Sequence, residues 1–508
     1  MKRILCMLLC FSLSIVLLGG CAQDKKAVAA FSVGYGKADI SPESSVYLIG
    51  YNDPIEERMS TGVAERLYAT VVAFTDAEGE TVIFIACDLL YVLRAQSDPI
   101  RKQISAETGV PFDHIIIHSS HSHSGPDAAD HKYYQLLQER ILTAAKDAMA
   151  DRAPAQMQTA FSRPEGYVFV RHYLMNDGSY RGEGVGAVKD SAIGHTHKCD
   201  NLMQLIKFTR EGKKDILMMN WRGHPWGSDP IPYTTATSNY PGVMRATVEK
   251  SLDCLSVFVL AASGNSNNGS QLESENRFDK NYVNLGEALG QEVIKTAENF
   301  QPAKTDNIQL EENILLRNNL RNGNNFQVPV YAFSIGDVAF ITAPFETFDT
   351  NEVFVREGSK FPMTFYASVT NDWQSYLPTP ESFPWEHHYE VRITRYEVGM
   401  AEDLADQQLA MLDRLFEAAG YTEAEKAPGY LTPEFAPFSD GIEYMNPVPG
   451  QLDAAKAVEN GFYQVILLTG NTFKTMLVAD KETAEKVLSQ TSMKLLFDEQ
   501  NVIVDIAP

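Results

Sequence analysis

Short hydrophobic runs recur along the chain and are separated by turn residues and charged residues. Runs rich in β-branched and aromatic residues, with lengths of five to eight positions, are typical of β-strands. The strands predicted in this way are Leu67–Phe74, Thr81–Cys87, Asp113–His118, Leu202–Phe208, Ile216–Trp221, Ser256–Ala262, Val328–Ile335, Val338–Thr342 and Met363–Val369. The Gly336-Asp337 step between two of these runs predicts a tight hairpin, so part of the sheet is expected to be antiparallel.

Longer segments with a helical period lie between and after these runs. They predict helices at Tyr133–Met149, Pro241–Leu252, Tyr282–Phe300 and Ala401–Ala419. Proline is tolerated in the first turn of a helix, which is where Pro241 falls. The pattern predicts an α+β fold with mixed, partly antiparallel β-sheets covered by helices.

The composition changes after the last of these helices. We expect residues 31–420 to form the main domain, and residues 421–450, rich in Pro, Gly and Glu, to form a linker or surface wrap. Residues 451–508 predict a small C-terminal α/β unit. Its strands are expected at Tyr463–Leu468, Thr475–Val478 and Val502–Ile506, and its helix at Thr483–Leu488.

The first twenty residues have the layout of an export signal. Lys2 and Arg3 precede the apolar run Ile4–Leu18, which leads to Leu18-Gly-Gly-Cys21. This pattern predicts a signal peptide over residues 1–20, a lipid on Cys21 and a tether over residues 21–30. The protein is therefore expected to be extracytoplasmic and anchored to a membrane. An ordinary cleaved signal and an uncleaved anchor helix are the alternatives, and both also place the domain outside the cytoplasm.

The chain has 43 basic and 66 acidic side chains, a formal net charge of −23. Such a balance excludes nucleic acid as a partner, because the phosphate backbone would be repelled. After Cys21 only Cys87, Cys199 and Cys254 remain. Three widely spaced cysteines make no disulfide framework, although one Cys199–Cys254 bridge stays open.

The strongest candidate for chemistry is a histidine cluster after an apolar run. The segment His118-Ser-Ser-His121-Ser-His123-Ser-Gly-Pro-Asp127 follows Ile115–Ile117 directly. Residues two apart point to the same side of an extended chain, so His121 and His123 are expected to face one pocket. Imidazoles bind zinc, and the serines offer hydrogen bonds that orient them. The alternative is a surface loop without a ligand.

Residues of ligand type also follow three other apolar runs: His224, Glu346 and Tyr376. In mixed sheets, sites assemble where strand ends and their loops converge, so this repetition predicts a metal site spread over the chain. Each residue has a simpler alternative. His224 would pack between tryptophans, Glu346 would be an exposed acid, and Tyr376 would be a buried hydroxyl with one partner.

Several motifs, in the same order, resemble the N-terminal catalytic domain of the neutral/alkaline non-lysosomal ceramidase family. The resemblance extends from Phe31 to Ala419, and the His-x-His-Ser-Gly-Pro piece is its most specific part. The matching segments are Gly34-Tyr-Gly-Lys-Ala-Asp-Ile-Ser-Pro42, His121-Ser-His-Ser-Gly-Pro126, Phe169-Val-Arg-His172, Asn220-Trp-Arg-Gly-His-Pro225, Pro344-Phe-Glu346, Asn371-Asp-Trp-Gln-Ser-Tyr376 and Arg395-Tyr-Glu-Val398.

The resemblance implies a cofactor, a reaction and a set of residues. The implied cofactor is Zn²⁺, held by His121, His224, Glu346 and Tyr376. The residues implied to hold the substrate amide and the charge on its oxygen are His123, Arg171 and Tyr396. The implied reaction is cleavage of the amide bond of an N-acylated, ceramide-like lipid by zinc-activated water.

One loop departs from the family pattern. Ceramidases carry a Gly-Asp-x-Ser-Pro loop, and the matching segment here is Ser263-Gly-Asn-Ser-Asn-Asn-Gly269, in which the proline is missing. An ungapped match puts Asn267 in the place of the serine, whereas a shift by one residue puts Ser266 there. Ser266 is therefore either a nucleophile or part of a turn-forming, substrate-contacting Asn loop.

Because of this departure, other functions stay open. A zinc hydrolase acting on a glycan or peptide conjugate is one alternative. A non-catalytic surface lipoprotein that binds a lipid or glycan is another. The pair His195 and His197 repeats the His-x-His pattern and is either a second metal site or a loop without a ligand.

Overall fold

The computed structural model describes residues 30–51, 53–175, 180–182, 192–227, 229–268, 281–318, 325–383, 388–396, 398–422, 424–431, 444–447, 456–457, 463–469, 472–489, 492–497 and 502–507. The predicted signal peptide, Cys21 and most of the predicted linker lie outside the described residues. Across these ranges, no helix has the length and apolar character needed to cross a bilayer.

The first half of the described chain alternates strands with three helices. In chain order the strands are β1 (Ser32–Asp39), β2 (Gly62–Val63), β3 (Tyr68–Thr75), β4 (Thr81–Cys87), β5 (Ile115–Ser119), β6 (Ala153–Ser162), β7 (Val168–Val170), β8 (Tyr173–Met175), β9 (Tyr180–Arg181), β10 (Ala192–His195), β11 (Met203–Arg210), β12 (Ile216–Trp221), β13 (Thr235–Ala236), β14 (Leu255–Leu260) and β15 (Ser266–Asn268). The helices are α1 (Arg94–Thr108), α2 (His131–Ala150) and α3 (Asn239–Leu252).

The second half continues in the same way and ends in a smaller sheet. Its strands are β16 (Gln301–Ala303), β17 (Ile308–Asn318), β18 (Asn325–Ile335), β19 (Val338–Thr342), β20 (Glu346–Thr347), β21 (Met363–Ala367), β22 (Tyr376–Leu377), β23 (Tyr444–Pro447), β24 (Lys456–Ala457), β25 (Tyr463–Thr469), β26 (Thr472–Val478), β27 (Ser492–Phe497) and β28 (Ile503–Ala507). Its helices are α4 (Tyr282–Thr296), α5 (Asp349–Gly358), α6 (Tyr389–Ile393), α7 (Met400–Ala418) and α8 (Lys481–Leu488).

Two mixed sheets carry the main domain. The larger has the strand order β14-β12-β11-β6-β1-β3-β4-β5, with β16 beside β6, and the smaller has the order β17-β18-β19-β21. Strands β4 and β5 pair in parallel, whereas β3 and β4 are antiparallel. The predicted hairpin joins β18 and β19 as an antiparallel pair, with Gly336 at a φ of 51°. These pairings confirm the mixed, partly antiparallel α+β fold.

The core lies between the two sheets. Phe74 and Phe84 of the larger sheet meet Phe333 and Phe340 of the smaller one, with ring centroids 6.1 to 6.4 Å apart. The opposite faces are covered by helices: α1 and α2 pack on β3 and β4, α3 and α4 on β12 and β14, and α5 and α7 on the smaller sheet. Because both faces of the strands are buried, the strands are continuous apolar runs in sequence.

The structure contains elements that the apolar pattern did not predict, among them β1, β6, β17, α1 and α5. Strand β1 packs so closely against α2 that a Cβ atom at Gly34 would lie 1.9 Å from the carbonyl oxygen of Ala148. Only glycine fits in that space. The two glycines of β1 contribute no side chain to a hydrophobic pattern, so the sequence did not predict this strand. The predicted strand at Asp113 instead begins at Ile115, because residues 112–114 form a 3₁₀ turn after Pro111.

The C-terminal unit is a six-stranded sheet in the order β23-β27-β28-β26-β25-β24, with α8 beside it. The four elements predicted there correspond to β25, β26, α8 and β28. Within the described residues Cys87, Cys199 and Cys254 are buried free thiols. The alternative of a Cys199–Cys254 bridge is therefore wrong.

Candidate metal centre and active site

Three imidazoles converge where β5 and β12 end. The ring centroids of His121, His123 and His224 are 4.8 to 5.1 Å apart. The sequence predicted that His121 and His123 share one side of an extended chain. However, β5 ends at Ser119, and His121 has a φ of 65°. A left-handed turn, rather than an extended chain, brings the first two rings together.

Each of these rings directs its Nδ1 atom at a backbone carbonyl. His121 Nδ1 lies 2.9 Å from the oxygen of Leu90, His123 Nδ1 lies 2.7 Å from that of Gly50, and His224 Nδ1 lies 3.1 Å from that of Ser263. A carbonyl only accepts, so Nδ1 carries the proton and the neutral ring keeps its lone pair on Nε2.

The Nε2 atoms point toward one another. Those of His123 and His224 are 2.8 Å apart, and the ligand atoms of all three histidines lie within 4.8 Å of one another. Burial and the neighbouring imidazoles hold the pKa of His224 well below its ordinary value, so this ring is neutral at pH 7. Facing lone pairs repel each other unless a cation lies between them.

Glu346 completes this group from β20, which forms a separate two-stranded sheet with β22. Strands β20 and β22 pair in parallel and place Glu346 opposite Tyr376. Glu346 Oε2 is 3.1 Å from His121 Nε2 and 3.9 Å from His224 Nε2. The closer pair lacks hydrogen-bond geometry, and among the described residues neither atom has a hydrogen-bond partner. Buried polar atoms without a hydrogen-bond partner lower the stability of the folded state.

The charges suit a divalent cation. Burial raises the pKa of Glu346, but His121, Tyr376 and Trp373 outweigh it and hold the pKa below its ordinary value. The carboxylate is therefore ionised, and the imidazoles of His123 and His224, whose pKa values burial lowers, are neutral. Imidazole nitrogen, carboxylate oxygen and a phenol oxygen form a donor set that fits zinc. His121, His224 and Glu346 are placed to hold the ion, with Tyr376 beside Glu346 and His123 within the same group.

Arg171 lies beside this group. Its Nη2 atom donates to the oxygen of Gly264 at 2.8 Å, and its guanidinium is 5.5 Å from the centroid of the Tyr376 ring. Its Nε atom donates to Glu390 at 2.7 Å. Arg171 is thus fixed between the candidate ligand Tyr376 and the loop that departs from the family pattern.

Glu390 also contacts two buried histidines, and the three residues form a second group of ligand type. His172 Nε2 is 3.5 Å and His388 Nδ1 is 3.4 Å from the carboxylate. However, the carboxylate is paired with Arg171, and His388 Nδ1 accepts a hydrogen bond from the backbone N–H of Val391. We interpret this group as an ion-pair network that holds Arg171.

The loop that departs from the family pattern continues into β15, which pairs with β7. Ser266 is fully buried, and its hydroxyl donates to the carbonyl oxygen of Arg222 at 2.8 Å. Asn267 Oδ1 is buried without a hydrogen-bond partner among the described residues. The structure therefore gives the Ser266 hydroxyl a role in loop shape.

Replacing Ser266 with alanine is expected to keep turnover within about tenfold of wild type, a loss below about 1.4 kcal/mol. The matched control is Ser263→Ala in the same loop, where the side-chain oxygen has no hydrogen-bond partner among the described residues. Rates are compared at equal zinc content. Abolished turnover with zinc still bound, or an acyl adduct on Ser266 in mass spectrometry, would make Ser266 the nucleophile.

Tyr396 is buried beneath α7. Its hydroxyl donates to Gln374 Oε1, and its ring packs against Phe345 and Phe326 with centroids 5.3 and 5.9 Å apart. It belongs to the hydrophobic cluster under α7. A substrate contact by Tyr396 stays a prediction.

The other His-x-His pair does not form a metal cluster among the described residues. His197 Nε2 lies 3.0 Å from Asp349 Oδ1, and Asp349 accepts a hydrogen bond of 2.7 Å from Asn265. His195 packs against Phe169 instead. His197 is therefore a partner of Asp349 in the contacts that support the loop.

Two kinds of site residue were missed from the sequence. Trp373 donates through Nε1 to Glu346 Oε1 at 2.8 Å, and its position three residues before Tyr376 was the signal available. The carbonyl groups of Leu90, Gly50 and Ser263 orient the imidazoles, but a backbone atom leaves no mark in the sequence.

Comparisons with known proteins agree with this architecture. Residues 31–226 match the family model "Neutral/alkaline non-lysosomal ceramidase, N-terminal". A crystal structure of neutral ceramidase from Pseudomonas aeruginosa is similar at a TM-score of 0.62 and 15% identity, covering 87% of this chain and 84% of that one. A structure described as ceramidase complexed with C2 is similar at a TM-score of 0.64 and 14% identity, covering 87% and 85%.

No curated protein sequence matches the chain. At 14 to 15% identity the two solved structures establish the fold alone. The family match covers the segment that contains His121, His123, Arg171 and His224. The resemblance read from the motifs is thus confirmed: residues 31–226 match the N-terminal model of the neutral/alkaline non-lysosomal ceramidase family, and the chain has a fold similar to that of the neutral ceramidase structures.

Proposed function

We propose that this protein is a zinc-dependent amidohydrolase of the neutral ceramidase type that cleaves the amide bond of an N-acylated, ceramide-like lipid. One observation carries the proposal. Three histidines with carbonyl-bound Nδ1 atoms present Nε2 lone pairs to one another, and the ionised, buried Glu346 lies 3.1 Å from the first of them. The family match supports the choice of reaction class.

The residues divide into those that hold the metal and those that handle the substrate. His121, His224, Glu346 and Tyr376 would hold the ion. Zinc, when bound, lowers the pKa of water and polarises the amide carbonyl. His123 is held by Gly50 with Nε2 toward the group, and burial lowers its pKa to about 3, so the ring is neutral. It would accept the proton of the attacking water and pass it to the leaving amine.

Arg171 would stabilise the negative charge that develops on the carbonyl oxygen. Glu390 and Gly264 each hold one of its nitrogens, so the guanidinium is fixed before the substrate arrives. A positive charge that needs no reorganisation during the reaction is the most effective kind of transition-state stabiliser.

The substrate class is tested with a panel that varies one feature at a time. Zinc-loaded protein is offered N-acyl sphingoid lipids, the matching O-acyl esters, and N-acylated sugars and peptides. We expect release of free fatty acid from the N-acyl lipids at the highest rate. Turnover confined to the sugar or peptide conjugates would overturn the lipid assignment and leave the hydrolase intact.

A second candidate is hydrolysis of a different conjugate, and the Asn267 position favours it. Where the family pattern has a serine followed by proline, this chain has Asn267 and Asn268, and the Asn268 side chain donates to the carbonyl oxygen of His224 at 2.9 Å. A loop altered so close to the metal group is suited to a changed substrate.

We also propose that the protein is exported and anchored outside the cytoplasm through Cys21, on the strength of the Leu18-Gly-Gly-Cys21 pattern. Cys21→Ser is expected to release the protein from membranes or to leave it unprocessed, because the thiol is the attachment point of the lipid. Cell fractionation checks this, with Cys87→Ser as the control that keeps Cys21. A Cys21→Ser protein that is processed and still membrane-bound would contradict the anchor.

A further inference from the structure

The two oxygens of the Glu346 carboxylate have different partners. Oε1 accepts a hydrogen bond of 2.8 Å from the indole Nε1 of Trp373. Oε2 faces His121 Nε2 at 3.1 Å. The terminal torsion of a glutamate is broad, so a donor on one oxygen narrows the range of angles at which the other oxygen is presented. The indole thus helps to set the orientation in which Glu346 Oε2 faces His121.

Trp373 is itself held on two sides. Its ring stacks on Tyr91 with centroids 4.7 Å apart and planes 15° apart. Its backbone N–H donates to Asp372 Oδ1 at 2.8 Å, and the same oxygen accepts the N–H of Arg94 at the start of α1 at 3.0 Å. The indole is therefore fixed before any metal binds.

The residue before Tyr91 anchors a second candidate ligand. The carbonyl oxygen of Leu90 lies 2.9 Å from His121 Nδ1. The Leu90-Tyr91 dipeptide after β4 thus orients His121 through a carbonyl and Glu346 through the stacked indole. One short segment therefore orients two candidate ligands, His121 after β5 and Glu346 in β20.

We propose that Trp373 is a positioning residue for the metal centre: its N–H holds Glu346 so that a single oxygen is offered to the ion, and Tyr91 holds the indole in place. The inference rests on the proposed zinc site, but not on the identity of the substrate. Hydrogen-bond partners of metal ligands typically contribute about 10- to 100-fold to metal affinity.

Trp373→Phe removes the N–H and keeps an aromatic ring on Tyr91. We expect its zinc affinity, measured by competition with a chromophoric chelator, to fall about 10- to 100-fold. The thermal unfolding temperature of the metal-free variant should stay close to that of metal-free wild type. Tyr91→Phe keeps the stack and is the matched control, with affinity within about twofold of wild type.

Tyr91→Ala removes the stack and leaves the indole in the chain, so it should lower zinc affinity without removing the donor. Tryptophan fluorescence gives an independent readout, because the Glu346 carboxylate that accepts the Trp373 hydrogen bond would also bind the metal. Adding zinc to metal-free wild type should change the emission, and Trp373→Phe should lack that change.

The outcomes separate the two proposals. Zinc affinity of Trp373→Phe within about twofold of wild type overturns the positioning role and leaves the metal site intact. A wild-type protein that binds no zinc overturns the proposed metal site and this inference with it.

Discussion

Glu346→Gln is expected to lose most of its zinc and to lower turnover at least about a thousandfold, equivalent to about 4 kcal/mol of transition-state stabilisation. The substitution keeps the shape of the side chain and an oxygen for the Trp373 N–H. It removes the buried negative charge that faces His121 at 3.1 Å. Elemental analysis and rates on the best substrate of the panel measure the two effects.

The matched control is Glu107→Gln, an exposed position paired with Lys146, where the same change should leave both zinc and turnover near wild type. If Glu346→Gln retains about one zinc per chain and full turnover, Glu346 is not a ligand, because zinc sites rely on the charge of their carboxylate.

Asp200→Ala is expected to lower the free energy of unfolding by about 3–5 kcal/mol. Asp200 is buried and accepts hydrogen bonds from Arg222, from Arg356 at 2.7 Å and from Arg163 at 2.6 Å. Removing it leaves two fully buried guanidinium groups that share the carboxylate of Glu352, with Glu357 at 3.8 Å from Arg356. Denaturant-induced unfolding measures the loss.

The exposed Glu107→Ala is the control and should cost below about 1 kcal/mol. Burial raises the pKa of Asp200, but Arg356 and Arg222 outweigh burial and hold the pKa far below its ordinary value. Its contribution to stability is therefore complete above about pH 4 and is lost as the pH falls further. A loss below about 1 kcal/mol for Asp200→Ala would show that the arginines find other partners.

The position of this network links stability to the site. Arg222 follows β12, and its carbonyl oxygen accepts the Ser266 hydroxyl. Glu352 accepts the backbone N–H of Ala262, one residue before Ser263, which in turn anchors His224. The buried charges thus hold both ends of the loop that carries the departure from the family pattern.

The strands were predictable where both faces are buried. The bounds Thr81–Cys87, Ile216–Trp221 and Val338–Thr342 agree with β4, β12 and β19 because an apolar run starts and stops with the sheet. Helix α1 was missed because its buried face includes Ser97 and Arg101, which bond to the carbonyl oxygens of Asn371 and Ile115. Polar residues satisfied in this way break the apolar period on which the prediction depends.

The site was predictable in residue type and less so in geometry. His224 and Glu346 were predicted as candidate ligands because each follows an apolar run, and sites form where strands end. The left-handed turn at His121 and the indole on Glu346 arise from tertiary contacts between distant segments. For Tyr396 the motif gives the position in the sequence, whereas the packing of its ring against Phe345 is a tertiary contact, and its role toward a substrate stays a prediction.

Metal content and turnover measured on the same sample test the central claim most directly. The purified protein is analysed for zinc, stripped with a chelator, assayed on an N-acyl lipid, and assayed again after zinc is returned. The account predicts about one zinc per chain, loss of turnover on stripping and recovery on reconstitution, because an open zinc site supplies the activated water. A stripped protein that retains full turnover, or a native protein without zinc that cleaves the amide, would contradict it.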